Sequence, residues 1–156
     1  MKLLFVCTGN TCRSAMAEAI ARKVAIERGL VDVDVASAGT SSWEGAAASD
    51  GALLVGLERH LDLSGHRSRQ LSRALVDGTD LIFTMGPHHL ERAEALGGAG
   101  KSFLLTGYPI PGGSGRAVDD PMGGELDVYR ATADDLEREI RRVFDQMAAE
   151  QVPGAS

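Results

Sequence analysis

Residues 2–6, KLLFV, form an unbroken apolar run that halts at Cys7 and gives way, past Arg13 and Ser14, to the periodicity of a helix. A segment that is apolar at every position, not every second one, fits a strand covered on both faces. Strands of that kind belong to parallel sheets joined by helical crossovers. DLIFTM at 80–85 has the same character, and KSFLLT at 101–106 is a weaker fourth segment. VDVDVAS at 31–37 sets Val31, Val33 and Val35 against Asp32 and Asp34, the alternation of an edge strand. Between these runs, residues 14–28 carry Met16, Ile20 and Val24 at helical spacing with Gly29 as the stop. Residues 46–60 are rich in Ala and Leu, and Pro87 suits the first turn of a helix over 87–96. Leu136, Ile140, Val143 and Met147 mark one face of a last, amphipathic helix. The alternation predicts an α/β fold: a single three-layer domain over residues 1–150, with a four-stranded parallel sheet flanked by helices on both faces. QVPGAS, 151–156, reads as a short C-terminal tail, and the long irregular stretch 109–124 points to function or to disorder.

The net charge of −6 argues against nucleic acid or anionic lipid as a bulk partner, and 44% hydrophobic residues suffice for a core. No apolar run approaches the roughly 18 residues of a membrane span. The start MKLLFVC reads as a buried strand, since the apolar stretch is short and nothing resembling a cleavage site follows. Two cysteines in one loop are no disulfide framework, so a reducing, cytoplasmic setting is the expectation.

Ligands of open parallel sheets bind beyond the carboxyl ends of the strands, which is where Cys7 falls. The loop TGNT after it contains Gly9 and Asn10, residues that tolerate left-handed backbone angles, and leads into a helix N-terminus that favours an anion. Such turns aim successive N–H groups inward as a nest, and Arg13 adds a planar fork matched to two phosphate oxygens. The same surroundings favour Cys7 as a thiolate, the nucleophilic form. The pattern Cys-x5-Arg is weak in isolation; its position between a strand and a helix makes it specific. Displacing an oxygen or nitrogen leaving group also needs a proton donor beyond the phosphorus, and AVDDPMGG offers Asp119 and Asp120. Two adjacent carboxylates facing a bound phosphate repel, a reason for one of them to hold a proton. Ser14 can cap the helix and hydrogen-bond the Cys7 sulfur. His60, His88 and His89 lack neighbours at ligand spacing, and His88 with His89 reads as a solvated helix start, so no metal or cofactor is expected.

CTGNTCRSAMAEA, at 7–19, resembles the phosphate-binding loop of the low-molecular-weight protein tyrosine phosphatase family. The similarity extends through SAGTSSW (37–43), GHRSRQL (65–71), DLIFTM (80–85) and DDPMGG (119–124). With Thr8 and Thr11, the loop is most similar to the bacterial protein-arginine phosphatase branch; tyrosine-directed members usually carry an aliphatic residue in place of Thr11. The resemblance implies the flavodoxin-like form of the predicted fold and hydrolysis of protein phosphoarginine through a phosphocysteine, with protein phosphotyrosine as the alternative. It implies Cys7 as nucleophile and Arg13 with the loop Thr8, Gly9, Asn10, Thr11 and Cys12 around the phosphoryl group. It implies Asp120 as general acid, a Ser14 hydroxyl that assists the departing thiolate, and Trp43 as a pocket wall. Asn10, Ser37 and His66 match positions that brace the loop. Cys12 is either a small buried filler or, as the resemblance suggests, a trap for oxidised Cys7. Thr11 has the branching of Val with a hydroxyl added, which suits a polar guanidinium better than a phenyl ring. Two departures stand out: Met122 replaces the usual aromatic after Asp-Pro, and Ala15 replaces a common proline. The rivals are an arsenate reductase, which needs more relay cysteines; a cysteine phosphocarrier, which needs no general acid; and an anion-binding domain without chemistry.

Overall fold

The computed structural model describes residues 1–111 and 113–151. Strands β1 (Lys2–Cys7), β2 (Asp34–Gly39), β3 (Leu81–Thr84) and β4 (Ser102–Leu104) form one parallel sheet in the order β2-β1-β3-β4. The helices are α1 (Arg13–Glu27), α2 (Asp50–Glu58), α3 (Arg73–Asp77), α4 (Pro87–Ala93) and α5 (Leu126–Gln151).

The unbroken run of β1 is explained by cover on both faces. Leu3, Phe5 and Cys7 join the larger core with residues of α1, α2 and α5, while Leu4 and Val6 pack with Val76 of α3 and Ala93 of α4. Burial of such side chains contributes roughly 1.5–3 kcal/mol each. Met16, Ile20 and Val24 of α1 and Leu136, Ile140, Val143 and Met147 of α5 are all buried. Gly29 follows α1 with a φ of 67°, the left-handed stop its sequence position suggests.

Three boundaries differ from the expectation. The second strand is an edge as predicted, but it occupies 34–39 and not 31–37, and Val31 is 90% exposed. The register is the cause: β1 begins at Lys2 opposite Asp34, so residues 31–33 have no partner strand. Helix α2 starts only at Asp50, where the Ser49 side chain accepts the amide of Ala52. Helix α5 begins ten residues before Leu136 and still includes Gln151; the rest of the expected tail, residues 152–156, lies outside the described residues. Short α3 carried no strong signal. Among the described residues no helix is long and apolar enough to cross a membrane.

Helix α5 packs along α1 and supplies Leu136, Ile140, Val143 and Phe144 to the larger core, so truncating its central residue tests the packing. Ile140→Ala should lower stability by about 2–5 kcal/mol in a urea melt, with Cys7 chemistry otherwise intact.

Candidate active site

Beyond the end of β1 the chain turns through residues 8–12 before α1 begins at Arg13. Every carbonyl of this turn is held from outside. Cys7 O accepts from Thr40 N (2.9 Å), Thr8 O from Ser41 N (2.9 Å), Gly9 O from the Ser42 hydroxyl (3.0 Å) and Thr11 O from Ser49 N (2.9 Å). Asn10 O accepts from His66 Nε2 at 2.6 Å, and Cys12 O from Met16 N at 2.9 Å. With the carbonyls turned outward, the N–H groups between them are free to converge on the cleft as an anion nest. Asn10 makes the turn, with a φ of 59°. Gly9 was expected to share that role, but it does not enter the left-handed region, because one such residue suffices to reverse the chain. Gly39, level with Cys7 on β2, lets the loop sit this close. A Cβ there would run into the Thr8 carbonyl oxygen and come within 2.9 Å of Ser42 Cβ.

Side chains brace the turn from below. Asn10 Nδ2 donates to Ser14 Oγ (2.8 Å) and to Ser37 Oγ (2.9 Å), and Asn10 Oδ1 accepts the Arg69 amide (3.0 Å). Ser37 in turn donates to Glu18 Oε1 at 2.7 Å. With both Asn10 hydrogens given outward, the Ser14 hydroxyl accepts one and keeps its own hydrogen for Cys7 Sγ, 2.9 Å away. The chain of donors therefore ends on the sulfur as an acceptor. The further expectation that Ser14 caps α1 is not met. Cys12 holds the cap position without a side-chain bond, and the Ser14 oxygen is committed to the network.

Arg13 is buried, with one guanidinium nitrogen donating to Val118 O at 3.1 Å and another 3.5 Å from Asp120 Oδ2. Partnering of this kind is what a buried cation requires. Val118 N donates to Met85 O, which pins the acidic loop to the end of β3. Asp120 Oδ1 accepts the Met122 amide at 3.0 Å, leaving Oδ2 towards the cleft. Asp119 lies apart, along a second depression with Arg116 and Asp135.

These parts enclose a cleft of about 290 Å³ lined by Cys7, Thr8, Gly9, Thr11, Cys12 and Arg13, with Trp43, Asp120 and Met122 at its walls. The Trp43 and Met122 side chains are largely exposed at the rim. Among the described residues, the Thr11 hydroxyl has only a 3.9 Å contact with Cys12 Sγ. Cys7 and Cys12 are both buried free thiols, and Cys12 donates to Ser49 Oγ at 3.2 Å, with the Tyr129 hydroxyl 3.5 Å away. Among the described residues, no group of three or more His, Cys, Asp or Glu could hold a metal ion.

The reading of the two adjacent histidines is overturned as well. His88 is exposed, but His89 is not part of a solvated helix start: its side chain is 0% exposed and its Nε2 lies 2.8 Å from Thr8 Oγ1. The sequence signal for it was a histidine just past the carboxyl end of β3, at the same end of the sheet as Cys7. Glu18, Gly39 and Arg69 also support the loop without having been anticipated, since nothing local marks them.

Residues 2–152 match the family described as low molecular weight phosphotyrosine protein phosphatase. A protein-arginine-phosphatase of Bacillus subtilis (strain 168) is 36% identical over 147 residues, covering 94% of this chain and 97% of the relative. The low molecular weight protein-tyrosine-phosphatase Wzb of Escherichia coli (strain K12) is 34% identical over 152 residues, with 96% and 97% covered. A solved structure of the arginine phosphatase YwlE, a mutant with a phosphorylated active site serine, superimposes with a TM-score of 0.87 at 35% identity over 100% of both chains.

Burial, reinforced by the neighbouring His88 and Arg13, lowers the pKa of His89 to about 3, against a weaker upward pull from Asp120. The unfolded chain therefore takes up a proton near pH 6.5 that the folded chain refuses until about pH 3, and stability falls as pH drops through that window. The loss attributable to this residue should reach about 2 kcal/mol by pH 5. His89→Gln, which does not titrate, should show a correspondingly flatter dependence in urea melts between pH 7 and pH 5.

Proposed function

The chain belongs to the low molecular weight phosphotyrosine protein phosphatase family of cysteine-based protein phosphatases, and within it we propose that it hydrolyses phosphoarginine on proteins through a phosphocysteine intermediate. The carrying observation is the sulfur of Cys7 at the floor of a loop whose carbonyls all face away and whose last side-chain donor, Ser14, points at it.

In this reading the phosphoryl group sits in the nest of amides from Thr8 to Arg13, with the Arg13 fork on two of its oxygens. The Cys7 thiolate attacks phosphorus, forming the S–P bond as the P–N bond breaks, and the leaving guanidine nitrogen takes the proton held on Asp120 Oδ2. Ser14 is placed to hydrogen-bond the sulfur when it leaves. Water then attacks phosphorus, its proton passes to Asp120, the S–P bond breaks, and the thiolate and inorganic phosphate are released. A solved relative that is a mutant with a phosphorylated active site serine supports a covalent route.

For the substrate, the Thr11 hydroxyl at the cleft wall has no strong protein partner and can serve a guanidinium N–H. Met122 at the rim, where the family usually has a ring, weakens the grip on a phenyl group. The identity with protein-arginine-phosphatases over nearly the whole chain points the same way. The second reading, a tyrosine phosphatase, is supported by the 34% identity with a protein-tyrosine-phosphatase over 96% of the chain; the exposed Trp43 ring can stack on a phenol or on a guanidinium and does not discriminate. Asp120 beside the cleft speaks against a phosphocarrier, which would release nitrophenol from p-nitrophenyl phosphate only once per chain.

Cys7→Ser should abolish turnover while leaving a cooperative urea transition, the sign that the fold is retained. Asp120→Asn should slow the first step by about 10²-fold or more, most for poor leaving groups, whereas Asp119→Asn should act weakly. If Asp119→Asn proves the damaging change, the acid is misassigned. Comparing turnover on phosphoarginine and phosphotyrosine peptides decides the substrate. Thr11→Ile should move the ratio about tenfold towards phosphotyrosine, and an unchanged ratio removes Thr11 as the selector.

A further inference from the structure

His89 has no part in the steps above, yet its ring lies against the catalytic loop. It is buried at the start of α4, and its Nε2 is 2.8 Å from Thr8 Oγ1. Its Nδ1 is buried without a hydrogen-bond partner among the described residues. Arg13 and Asp120 are near enough for their charges to act on it.

A neutral imidazole has one hydrogen to place. On Nδ1 it would be a buried N–H with no acceptor, the more costly kind of orphan; on Nε2 it meets the Thr8 oxygen. An imidazolium would put a hydrogen on both nitrogens and so recreate the orphan, in accord with the low basicity of this ring. Nε2–H therefore donates and Thr8 Oγ1 accepts. The hydrogen of the Thr8 hydroxyl is left for the other side of that oxygen, where Thr8 lines the cleft beside Cys7 and Arg13. A hydroxyl that already accepts a hydrogen bond is polarised into a better donor.

We infer that His89 is a positioning residue: by donating to Thr8 Oγ1, it fixes the Thr8 hydroxyl as a donor to an oxygen of the bound phosphoryl group. The ring of backbone amides thereby gains one side-chain donor, set from an element 81 residues away in sequence. The inference rests on the phosphatase reading of the cleft, which is tested separately by whether wild-type turnover of p-nitrophenyl phosphate is lost in Cys7→Ala.

The test is a double-variant cycle on the full chain, read as kcat/KM for p-nitrophenyl phosphate and as inhibition by orthovanadate. Thr8→Val and His89→Leu should each lower kcat/KM and weaken vanadate inhibition about tenfold, the effect of one charge-assisted hydrogen bond. The double variant should be no worse than Thr8→Val alone, within about twofold, because the histidine acts only through that hydroxyl. His89→Gln, whose side-chain amide N–H can take the place of Nε2–H, and Thr8→Ser, which keeps the hydroxyl, should both stay near wild type. Should His89→Leu not fold, His89→Asn, whose shorter amide falls short of Thr8, replaces it in the cycle. Additive losses in the double variant, a His89→Gln as impaired as His89→Leu, or unchanged kinetics in Thr8→Val would each overturn the proposal.

Discussion

The outward fixing of six successive carbonyls, from Cys7 to Cys12, is the constraint on which the rest of the site depends. A loop of this kind is not self-supporting: it has no ladder, and it needs one residue in the left-handed region. Its donors come from the turn after β2, from Ser49 at the head of α2, from His66 and from the first turn of α1. The sheet register that places Gly39 opposite Cys7 is therefore as much a part of the site as the sulfur is. Fold and function meet here through hydrogen-bond satisfaction, since buried backbone groups must be paired and pairing all the carbonyls outward leaves the amides for a ligand.

Much of this was legible in the sequence where the physics is local. Continuous apolar runs announced strands covered on both faces, and Leu136, Ile140, Val143 and Met147 announced the buried face of α5. Strand β2 was displaced because the Val/Asp alternation at 31–35 mimics an edge strand, whereas the pairing residues Ala36, Ser37, Ala38 and Gly39 are too small to signal one. Cys7 and Arg13 were legible as neighbours at a strand end and Asp120 through the family resemblance, and the structure brings the three together at one cleft. His89, Glu18 and Gly39 were not legible, since their meaning lies in contacts across the fold. Nothing in PHHL says that its second histidine faces Thr8, nor in SAG that a methyl group on the glycine would strike a carbonyl.

The substrate side of the cleft is less tightly specified than its floor. Below, each side-chain polar atom of Asn10 and Ser37 has a partner; above, Trp43 and Met122 stand exposed and the Thr11 hydroxyl has only a 3.9 Å contact among the described residues. On the reading proposed above, a braced floor of this kind serves the phosphoryl group, and the wall is where the group it is attached to would be distinguished.

The contact between Arg13 and Asp120 has a consequence for the end of the cycle. The guanidinium faces a carboxylate of the protein's own, 3.5 Å away, and donates to the carbonyl of Val118. An arriving phosphoryl group has to displace this internal ligand, and a departing one is replaced by it. On the phosphatase reading proposed above, this carboxylate competes with inorganic phosphate for the same guanidinium and so limits how tightly the product is held.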